Sequence, residues 1–349
     1  MSGTRPTATE ELVAGVVARF GMVGVRGWRD LGGSWTTNLR LAGTPAVVAR
    51  VYRTSTPVDR VVALQSVRTA LADAGLPTVR PLRSADGETV ATLSGGQAVE
   101  LEPYVDWDAR MCTADLLRTG HRLLARLHDV LRDIDIPAAA LSDDDANYLS
   151  AADAPVLSRR GARRIHSWGD AELDRYAEEV VAHLDRVVAA EEPLSHGELI
   201  QPVHGDYWDN NVLFAGGRVA ALLDLGFLGR RTRVDDLALT AYFFLLEPGK
   251  GLPSGDDLRH ICSFADAYDA AAAIPLSRRE RLSFPLVIAR QPAWSIGKWV
   301  LRNDEPLARK HAREAASELP VAQAILADLP RWQSVLAPPG GSVCRTPGR

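Results

Sequence analysis

The sequence predicts an α+β fold with a small β-rich N-terminal part and a larger helical C-terminal part. Strand-like runs and glycine turns dominate the first hundred residues, whereas helical periodicity dominates the chain after Pro103. We therefore expect a β-rich domain with one major helix over residues 1–102 and a helical domain over 103–333. A disordered Pro/Gly-rich tail is expected over 334–349.

Composition excludes several classes of protein. The chain has 46% hydrophobic and 24% charged residues, and its net charge is −4, which is typical of a globular protein and argues against general nucleic-acid binding. No apolar run approaches the ~20 residues of a membrane-spanning helix, and the N-terminus lacks an apolar signal core. We expect a cytoplasmic monomer or homodimer that binds neither nucleic acid nor membrane.

Lysine is almost missing from the sequence. Only three of its 40 basic residues are lysines, namely Lys250, Lys298 and Lys310. Any cation that a site needs in the first 249 residues must therefore be arginine or histidine.

The N-terminal elements follow from local patterns. Residues 8–20 have apolar side chains at helical spacing, and a second helix is expected between Pro57 and Gly75. A Gly/Ser/Thr-rich turn at residues 30–39 separates strand-like runs. The first hundred residues thus predict the order β-β-α-β-β-β, with the last three strands near 78–83, 88–93 and 97–102.

The sequence of the C-terminal part predicts six helices and one hairpin. The helices are expected at 114–131, 170–191, 234–247, 256–273, 278–301 and 305–328. The hairpin strands are expected at 211–214 and 219–223, and loops are expected at Asp143–Asp145 and around Arg159, Arg160, Arg163 and Arg164.

The hairpin carries the residues with the clearest chemistry. Asp206 lies in the loop before it, Asn211 enters its first strand, and Asp224 ends its second strand. Both ends of a hairpin lie close together, so these three side chains can converge. A carboxylate can accept the proton of a hydroxyl nucleophile, and amide and carboxylate oxygens suit Mg²⁺. The pattern therefore predicts phosphoryl transfer.

The segment His204-Gly205-Asp206 with Asn211, followed by Asp224-Leu225-Gly226, resembles the aminoglycoside phosphotransferase family, which includes choline kinases. The resemblance implies a protein-kinase-like bilobal fold, with ATP and Mg²⁺ as cofactors. It implies that Asp206 is the catalytic base and that Asn211 and Asp224 hold Mg²⁺. His204, His128 and Asp236 would support the loop.

The same resemblance extends to the residues expected to bind the nucleotide. The turn that contains Gly33, Ser34 and Asn38 resembles the family's nucleotide loop. Arg50 occupies the strand position where kinases place a phosphate-binding lysine. In the connector, the Glu102 carbonyl and the Tyr104 amide are expected to bind adenine.

Several positions depart from the family pattern. Kinases usually pair the strand cation with a glutamate of the next helix, but this helix has Gln65 in its middle and Asp59 near its start. Either residue can be the replacement. Asp209 is an extra acid in the catalytic loop, and Arg230 follows the Asp224 segment. Both are possible contacts to substrate or phosphate.

We expect an O-phosphotransferase whose acceptor is a small-molecule hydroxyl, such as an antibiotic, an amino-alcohol, an amino acid or a sugar. A kinase of Ser/Thr in a peptide and a nucleotide-binding pseudokinase are the alternatives. Residues 251–330 contain ten acidic and ten basic residues, so charge alone does not favour an aminoglycoside. Trp294 and Trp299 are predicted to be core residues.

Overall fold

A computed structural model describes residues 5–142, 148–194 and 198–337. The chain divides into two compact units. The first extends to Ala109 and also includes Ile134–Ser142 and Leu213–Gly226. The sequence placed its boundary between residues 102 and 103 and did not anticipate the two returning segments. The predictions for Asp143–Asp145 and for residues 338–349 lie outside the described residues.

The chain forms ten strands and twelve α-helices within the described residues. The strands are β1 (Gly27–Asp30), β2 (Thr37–Ala42), β3 (Val47–Val51), β4 (Val90–Thr92), β5 (Ala98–Pro103), β6 (Ala109–Arg110), β7 (Ile200–Val203), β8 (Val212–Ala215), β9 (Arg218–Leu222) and β10 (Gly229–Thr232). The helices of eight residues or more up to the chain's middle are α1 (Glu10–Arg19), α2 (Val58–Asp73), α3 (Ala114–Asp133), α4 (Asp153–His166) and α5 (Ala171–Glu191). Those that follow are α6 (Val234–Leu245), α7 (Gly255–Asp269), α8 (Arg278–Arg290), the short α9 (Pro292–Trp294) and α10 (Val300–Arg302), α11 (Glu305–Ala327) and α12 (Leu329–Leu336).

A five-stranded antiparallel sheet in the order β1-β2-β3-β5-β4 organises the first unit. Successive side chains of a strand point to opposite faces, and the two faces of β3 and β5 differ in chemistry. One face packs against α1 in an apolar core that includes Val13, Val16, Leu39, Leu41, Ala49, Val51, Val99 and Leu101. The other face carries Arg50, Glu100 and Glu102, all buried.

The predicted strand at 78–83 is wrong. Its only pairings are isolated bridges from Thr78 to Leu222 and from Leu82 to Leu101 within the described residues. Pro77 and Pro81 flank and interrupt this segment. A proline has no N–H to donate, so the ladder does not extend.

The second unit is mainly helical. Here α4 packs on α5, α3 packs on α7, and α8 contacts α5, α6, α11 and α12. Its apolar core includes Ile165, Tyr176, Val180, Leu184, Ile296, Val300 and Leu319. No helix among the described residues is long and apolar enough to span a membrane.

Three helix predictions need correction in this unit. The arginine cluster 159–164 lies on α4 and not in a loop, because Ala154, Ser158, Ala162 and Ile165 form a buried face at helical spacing. The helix predicted at 278–301 is broken after Arg290, close to Pro292, and continues through a π-helical turn (Ser295–Trp299). Residues 334–336 of the expected disordered tail belong to α12.

Candidate functional site

The loop after β7 is fixed through its backbone. The amides of His204 and Gly205 donate hydrogen bonds to the two carboxylate oxygens of Asp236, at 2.8 and 2.9 Å. Asp236 lies in the first turn of α6 and is 2% exposed. The chain is therefore held by buried hydrogen bonds immediately before Asp206.

Glycine is the only residue type that position 205 of this loop accepts. Its φ is +80°, and a Cβ atom would lie 2.2 Å from the Phe227 carbonyl oxygen and 2.4 Å from Nη1 of Arg231. A side chain here would require backbone movement. The glycine lets the loop turn tightly while Asp236 holds its amides.

Two histidines complete this support, here called the loop brace (His128, His204, Gly205, Asp236). Nε2 of His128 lies 3.1 Å from Oδ2 of Asp236, and its Nδ1 lies 2.9 Å from the Tyr268 hydroxyl. The Asp206 amide donates to Nδ1 of His204 at 3.2 Å. Burial would raise the pKa of Asp236, but the hydrogen bond and charge of His128 lower it below its ordinary value.

Asp206 and Asn211 meet at the end of the loop. The Asn211 side-chain amide donates to the Asp206 carbonyl oxygen at 2.7 Å and to Oδ2 of Asp206 at 3.0 Å. These bonds use Nδ2 of Asn211 and leave its amide oxygen for another partner. A hard oxygen beside a carboxylate fits the ligand preference of Mg²⁺.

Trp208 and Asp209, which lie between Asp206 and Asn211 in the loop, have different surroundings. Desolvation raises the pKa of Asp209 above its ordinary value, although Arg110, 3.7 Å away, opposes this. The Trp208 ring packs on Phe243 of α6, with 4.9 Å between ring centroids. Trp208 thus joins the catalytic loop to the helix behind it.

Asp224 adopts a strained backbone conformation after β9. Its φ is +57°, a left-handed value that only this non-glycine residue shows within the described chain. Such conformations cost about 1–3 kcal/mol and concentrate at functional sites. Its Oδ1 accepts a hydrogen bond from the Gly226 amide at 3.2 Å and lies 3.1 Å from Nη2 of Arg50.

Arg50 belongs to a group of buried ionic side chains in the first unit. We call it the buried charge cluster, and it consists of Arg50, Arg68, Glu100, Glu102 and Asp224. Arg50 is 8% exposed and has Glu102 at 4.0 Å as a second carboxylate neighbour. Burial would lower the pKa of Arg50, but the charge of Asp224 raises it above the ordinary value, so the guanidinium stays charged.

Helix α2 contributes a cation to this cluster and not the acid of a typical kinase. Arg68 forms ion pairs with both Glu100 and Glu102. Gln65 donates to Glu100 at 2.7 Å, and Asp59 is exposed at the start of α2. Neither Gln65 nor Asp59 is the ion-pair partner that the structure gives to Arg50. Glu102 stands between the two arginines instead.

The glycine turn between β1 and β2 is closed by its own side chains. Nδ2 of Asn38 donates to the Gly32 carbonyl at 2.9 Å, so this predicted nucleotide contact serves the turn. Ser34 is exposed, as is Gly33, whose φ is +120°. The Arg53 guanidinium lies over the Trp35 ring at 3.7 Å. Sequence reasoning did not single out this cation beside the turn.

In the connector after β5, the Tyr104 amide is not available to bind adenine as the sequence predicted. The Tyr104 amide donates to the Ala46 carbonyl at 3.1 Å, so it is already bonded within the unit. The Glu102 side chain belongs to the buried charge cluster. The next amide along the chain, that of Val105, has no acceptor among the described residues.

The three arginines after Asp224 separate into one exposed and two buried side chains. Arg230 is exposed on β10. Arg231 bonds the Phe227 carbonyl, and Arg233 pairs with both oxygens of Glu280. Only Arg230 has its side chain on the surface, which suits a contact with phosphate or substrate.

Comparison with known proteins decides the family. The family model described as "Phosphotransferase enzyme family" (APH) matches residues 28–282. The chain belongs to this phosphotransferase family. No curated protein matches the chain in sequence.

Solved structures share the family fold at low sequence identity. An aminopropanol kinase associated with a microcompartment is 17% identical over 94% of this chain and 99% of its own, with a TM-score of 0.68. An amicoumacin kinase in complex with AMP-PNP and Ca²⁺ is 13% identical over 90% and 95%, with a TM-score of 0.63. An aminoglycoside phosphotransferase from Alicyclobacillus acidocaldarius is 16% identical over 94% and 97%, with a TM-score of 0.58.

The predicted family and the α+β, protein-kinase-like fold class are therefore confirmed. The part of this phosphotransferase that sequence reasoning missed is the set Arg68, Glu100 and Glu102. A signal was present, because two glutamates alternate with apolar residues on β5. On a strand this spacing places both acids on one face, and that face needs a cation if it is buried.

Proposed function

We propose that the chain is an ATP- and Mg²⁺-dependent phosphotransferase that transfers the γ-phosphoryl group to the hydroxyl of a small molecule. Membership of the phosphotransferase family supports the reaction class. Neighbouring structures are described as kinases of aminopropanol and of amicoumacin, and one contains AMP-PNP and Ca²⁺. The observation that carries the proposal is the pairing of Asp206 with Asn211 on a loop held by Asp236.

Asp206 acts as the general base in this proposal. Its carboxylate would orient the acceptor hydroxyl and take its proton while the oxygen attacks the γ-phosphorus in line. The Asn211 amide, 3.0 Å from Oδ2, fixes the direction of the carboxylate. Direct transfer needs no phosphoenzyme, because positioning and charge neutralisation supply most of the rate.

The metal would be held by the amide oxygen of Asn211 and the carboxylate of Asp224. When bound, Mg²⁺ neutralises negative charge on the phosphate oxygens. In this scheme Arg50 binds a phosphate as a planar guanidinium fork, which lysine does not provide.

The remaining nucleotide contacts come from the turn and the connector. Backbone amides at Gly33 and Ser34 would approach the phosphates. The Glu102 carbonyl and the Val105 amide would bind adenine, with Val105 replacing Tyr104, whose amide is bonded to Ala46.

The chain after Asp224 favours a small acceptor over a protein. Strand β10 begins at Gly229 and α6 begins at Val234. This leaves no long segment that resembles the activation segment of a protein kinase. Arg230 lies within this stretch, on β10, and Asp209 precedes it in the catalytic loop; both are proposed contacts to substrate or phosphate.

The test is the Asp206→Asn variant in an ADP-release assay over alcohols, amino acids, sugars, antibiotics and peptides. We expect kcat to fall at least ~10²-fold, because base catalysis is lost, with nucleotide binding kept. Asp256→Asn is the control, since Asp256 is an exposed residue of α7. Full activity of Asp206→Asn would refute the proposed role, and transfer only to peptides would refute the small-molecule acceptor.

A further inference from the structure

We propose that Arg60 is a positioning residue for Asp224, the proposed metal ligand, because it anchors the segment after β9 to helix α2. The inference rests on the proposed function and concerns the metal affinity of that site. Arg60 lies in the first turn of α2, and sequence reasoning did not single it out. All residues that carry the inference belong to the first unit.

The half-buried guanidinium of Arg60 bonds three backbone carbonyl oxygens. Its Nη2 donates to Gly226 at 2.8 Å. Its Nη1 donates to Leu141 at 2.9 Å and to Ala139 at 3.2 Å. These acceptors belong to Ile134–Ser142 and Leu213–Gly226, the two segments that return to the first unit. One arginine of α2 therefore joins both returning segments to the helix.

Gly226 transmits this contact to Asp224. Its carbonyl accepts from Arg60, while its amide donates to Oδ1 of Asp224 at 3.2 Å. A Cβ atom at position 226 would lie 2.9 Å from the same Oδ1, so the backbone here is in close contact with the carboxylate. A displacement of Gly226 therefore displaces the carboxylate of Asp224 as well.

The backbone conformation of Asp224 makes this anchor important. Its φ of +57° is a left-handed value, which a non-glycine residue keeps only when the surrounding contacts enforce it. Leu225, buried at 4% exposure, and the bond from Arg60 to Gly226 fix the chain that follows. Arg50, 3.1 Å from Oδ1, holds the carboxylate itself. Arg50 and Arg60 thus act on different parts of the same segment.

The arrangement of the three acceptors suits arginine and not lysine. A guanidinium presents a planar fork of N–H donors, whereas an ammonium group is a compact point charge. Arg60→Lys should therefore keep only part of the contacts, and Arg60→Gln should lose most of them. Loss of a group that orients a metal ligand typically lowers metal affinity by about 10–100-fold.

Binding of Mn²⁺ to the full chain in the presence of AMP-PNP, followed by electron paramagnetic resonance of free Mn²⁺, tests this role without catalysis. We expect Arg60→Gln to raise the Kd for Mn²⁺ at least about tenfold and Arg60→Lys to raise it less. Binding of AMP-PNP measured without metal should change little. Hydrogen exchange of the Gly226 amide, measured without nucleotide or metal, should become faster in Arg60→Gln, because the segment has lost its anchor.

The control is Arg80→Gln, the same substitution at an arginine that forms an exposed pair with Asp73 at the end of α2. It should leave the Kd for Mn²⁺ unchanged. An unchanged Kd in Arg60→Gln would overturn the inference, and so would an equal rise in Arg80→Gln. An equal loss of AMP-PNP affinity without metal would show a structural role only and would also overturn it.

Two further outcomes are distinguishable from these. If Arg60→Gln does not fold, Arg60→Lys decides the question, and a Kd for Mn²⁺ equal to that of the wild type would overturn the inference. A wild-type chain that binds AMP-PNP but no Mn²⁺ would refute the metal site of the proposed function, and the role of Arg60 with it. Mn²⁺ binding that is strong in the wild type and equally strong in both Arg60 variants would refute the role of Arg60 alone.

Discussion

The loop brace and the buried charge cluster each hold one side chain in place, but they use different chemical groups to do so. Both hold a residue that the proposed chemistry requires, Asp206 in one case and Arg50 in the other. The brace uses one carboxylate, that of Asp236, to bind backbone amides. The cluster uses long ionic side chains from β3, β5, α2 and the segment after β9.

This difference has consequences for stability and for chemistry. The brace joins backbone amides to a short, buried side chain, and few rotatable bonds lie between them. It should therefore control the position of the loop that carries Asp206 and, through it, turnover. A cluster of buried charges is stable only while each charge keeps its partner. It should therefore control folding of the first unit and the affinity for nucleotide.

The largest expected effect is on stability and concerns Arg68. Arg68→Met leaves Glu100 and Glu102 buried without the cation of α2, which we expect to lower the free energy of unfolding by about 3–5 kcal/mol. The matched control is Arg80→Met, because Arg80 forms an exposed pair with Asp73 and its loss should cost less than about 1 kcal/mol. Urea unfolding measures both. Equal losses would show that the cluster is not the stabilising element described.

The next effect is on turnover and concerns the brace. Asp236→Asn keeps the size of the side chain but replaces one acceptor oxygen by a donor, so one loop amide loses its partner. Misplacement of a catalytic group by ~1 Å can cost ~10²-fold, and we expect kcat to fall by about that factor with little change in KM for ATP. The exposed Asp256→Asn variant is again the control. A rise in KM with unchanged kcat would assign the brace to nucleotide binding.

The sequence indicated the catalytic loop better than the cluster, for a physical reason. His204, Gly205, Asp206 and Asn211 lie within eight consecutive residues, so their spacing alone predicts a loop chemistry. The distant members of the brace, Asp236 and His128, enter only through the family resemblance, because His204 and Asp236 are 32 residues apart. Arg68 and Glu100 are 32 residues apart and meet only through the pairing of β3 with β5 and the packing of α2.

The same reasoning explains the other differences. The Tyr104 amide is bonded because β3 extends alongside the connector, which no local pattern reveals. The strands β7 and β10 have four residues each and pair with each other, so neither has the length or alternation that indicates a strand. Helix α4 was missed because its arginines dominate a composition that looks like a loop.

A smaller effect separates the two roles of Arg50. Arg50→Ala should raise KM for ATP about tenfold, the equivalent of one lost charge-assisted contact, while kcat changes less. Arg50→Lys should restore part of the affinity, since it keeps the charge but not the planar fork. Steady-state kinetics with ATP as the varied substrate measures both. An unchanged KM in Arg50→Ala would leave Arg50 as a partner of Asp224 only.

The smallest expected effect concerns Asp235 and Asp236, two adjacent acids of α6 whose pKa values are shifted in opposite directions. Asp236 has its pKa lowered, whereas burial raises the pKa of Asp235 to about 7 despite contacts with Arg290 at 3.2 Å and Thr232 at 2.7 Å. The folded chain therefore binds a proton at Asp235 that the unfolded chain has lost above its ordinary pKa. Stability from this group is present at low pH and is lost as the pH rises through about 7.

Between pH 6 and 7 the wild-type chain should lose about 1 kcal/mol more stability than Asp235→Asn, which has no such proton to lose. Urea unfolding at the two pH values measures the difference, and the exposed Asp256→Asn should follow the wild type. A slope that is the same in all three chains would mean that Asp235 stays ionised. In that case Arg290 would compensate the burial of Asp235 as completely as His128 and the loop amides compensate that of Asp236, and the first turn of α6 would carry two permanently ionised acids.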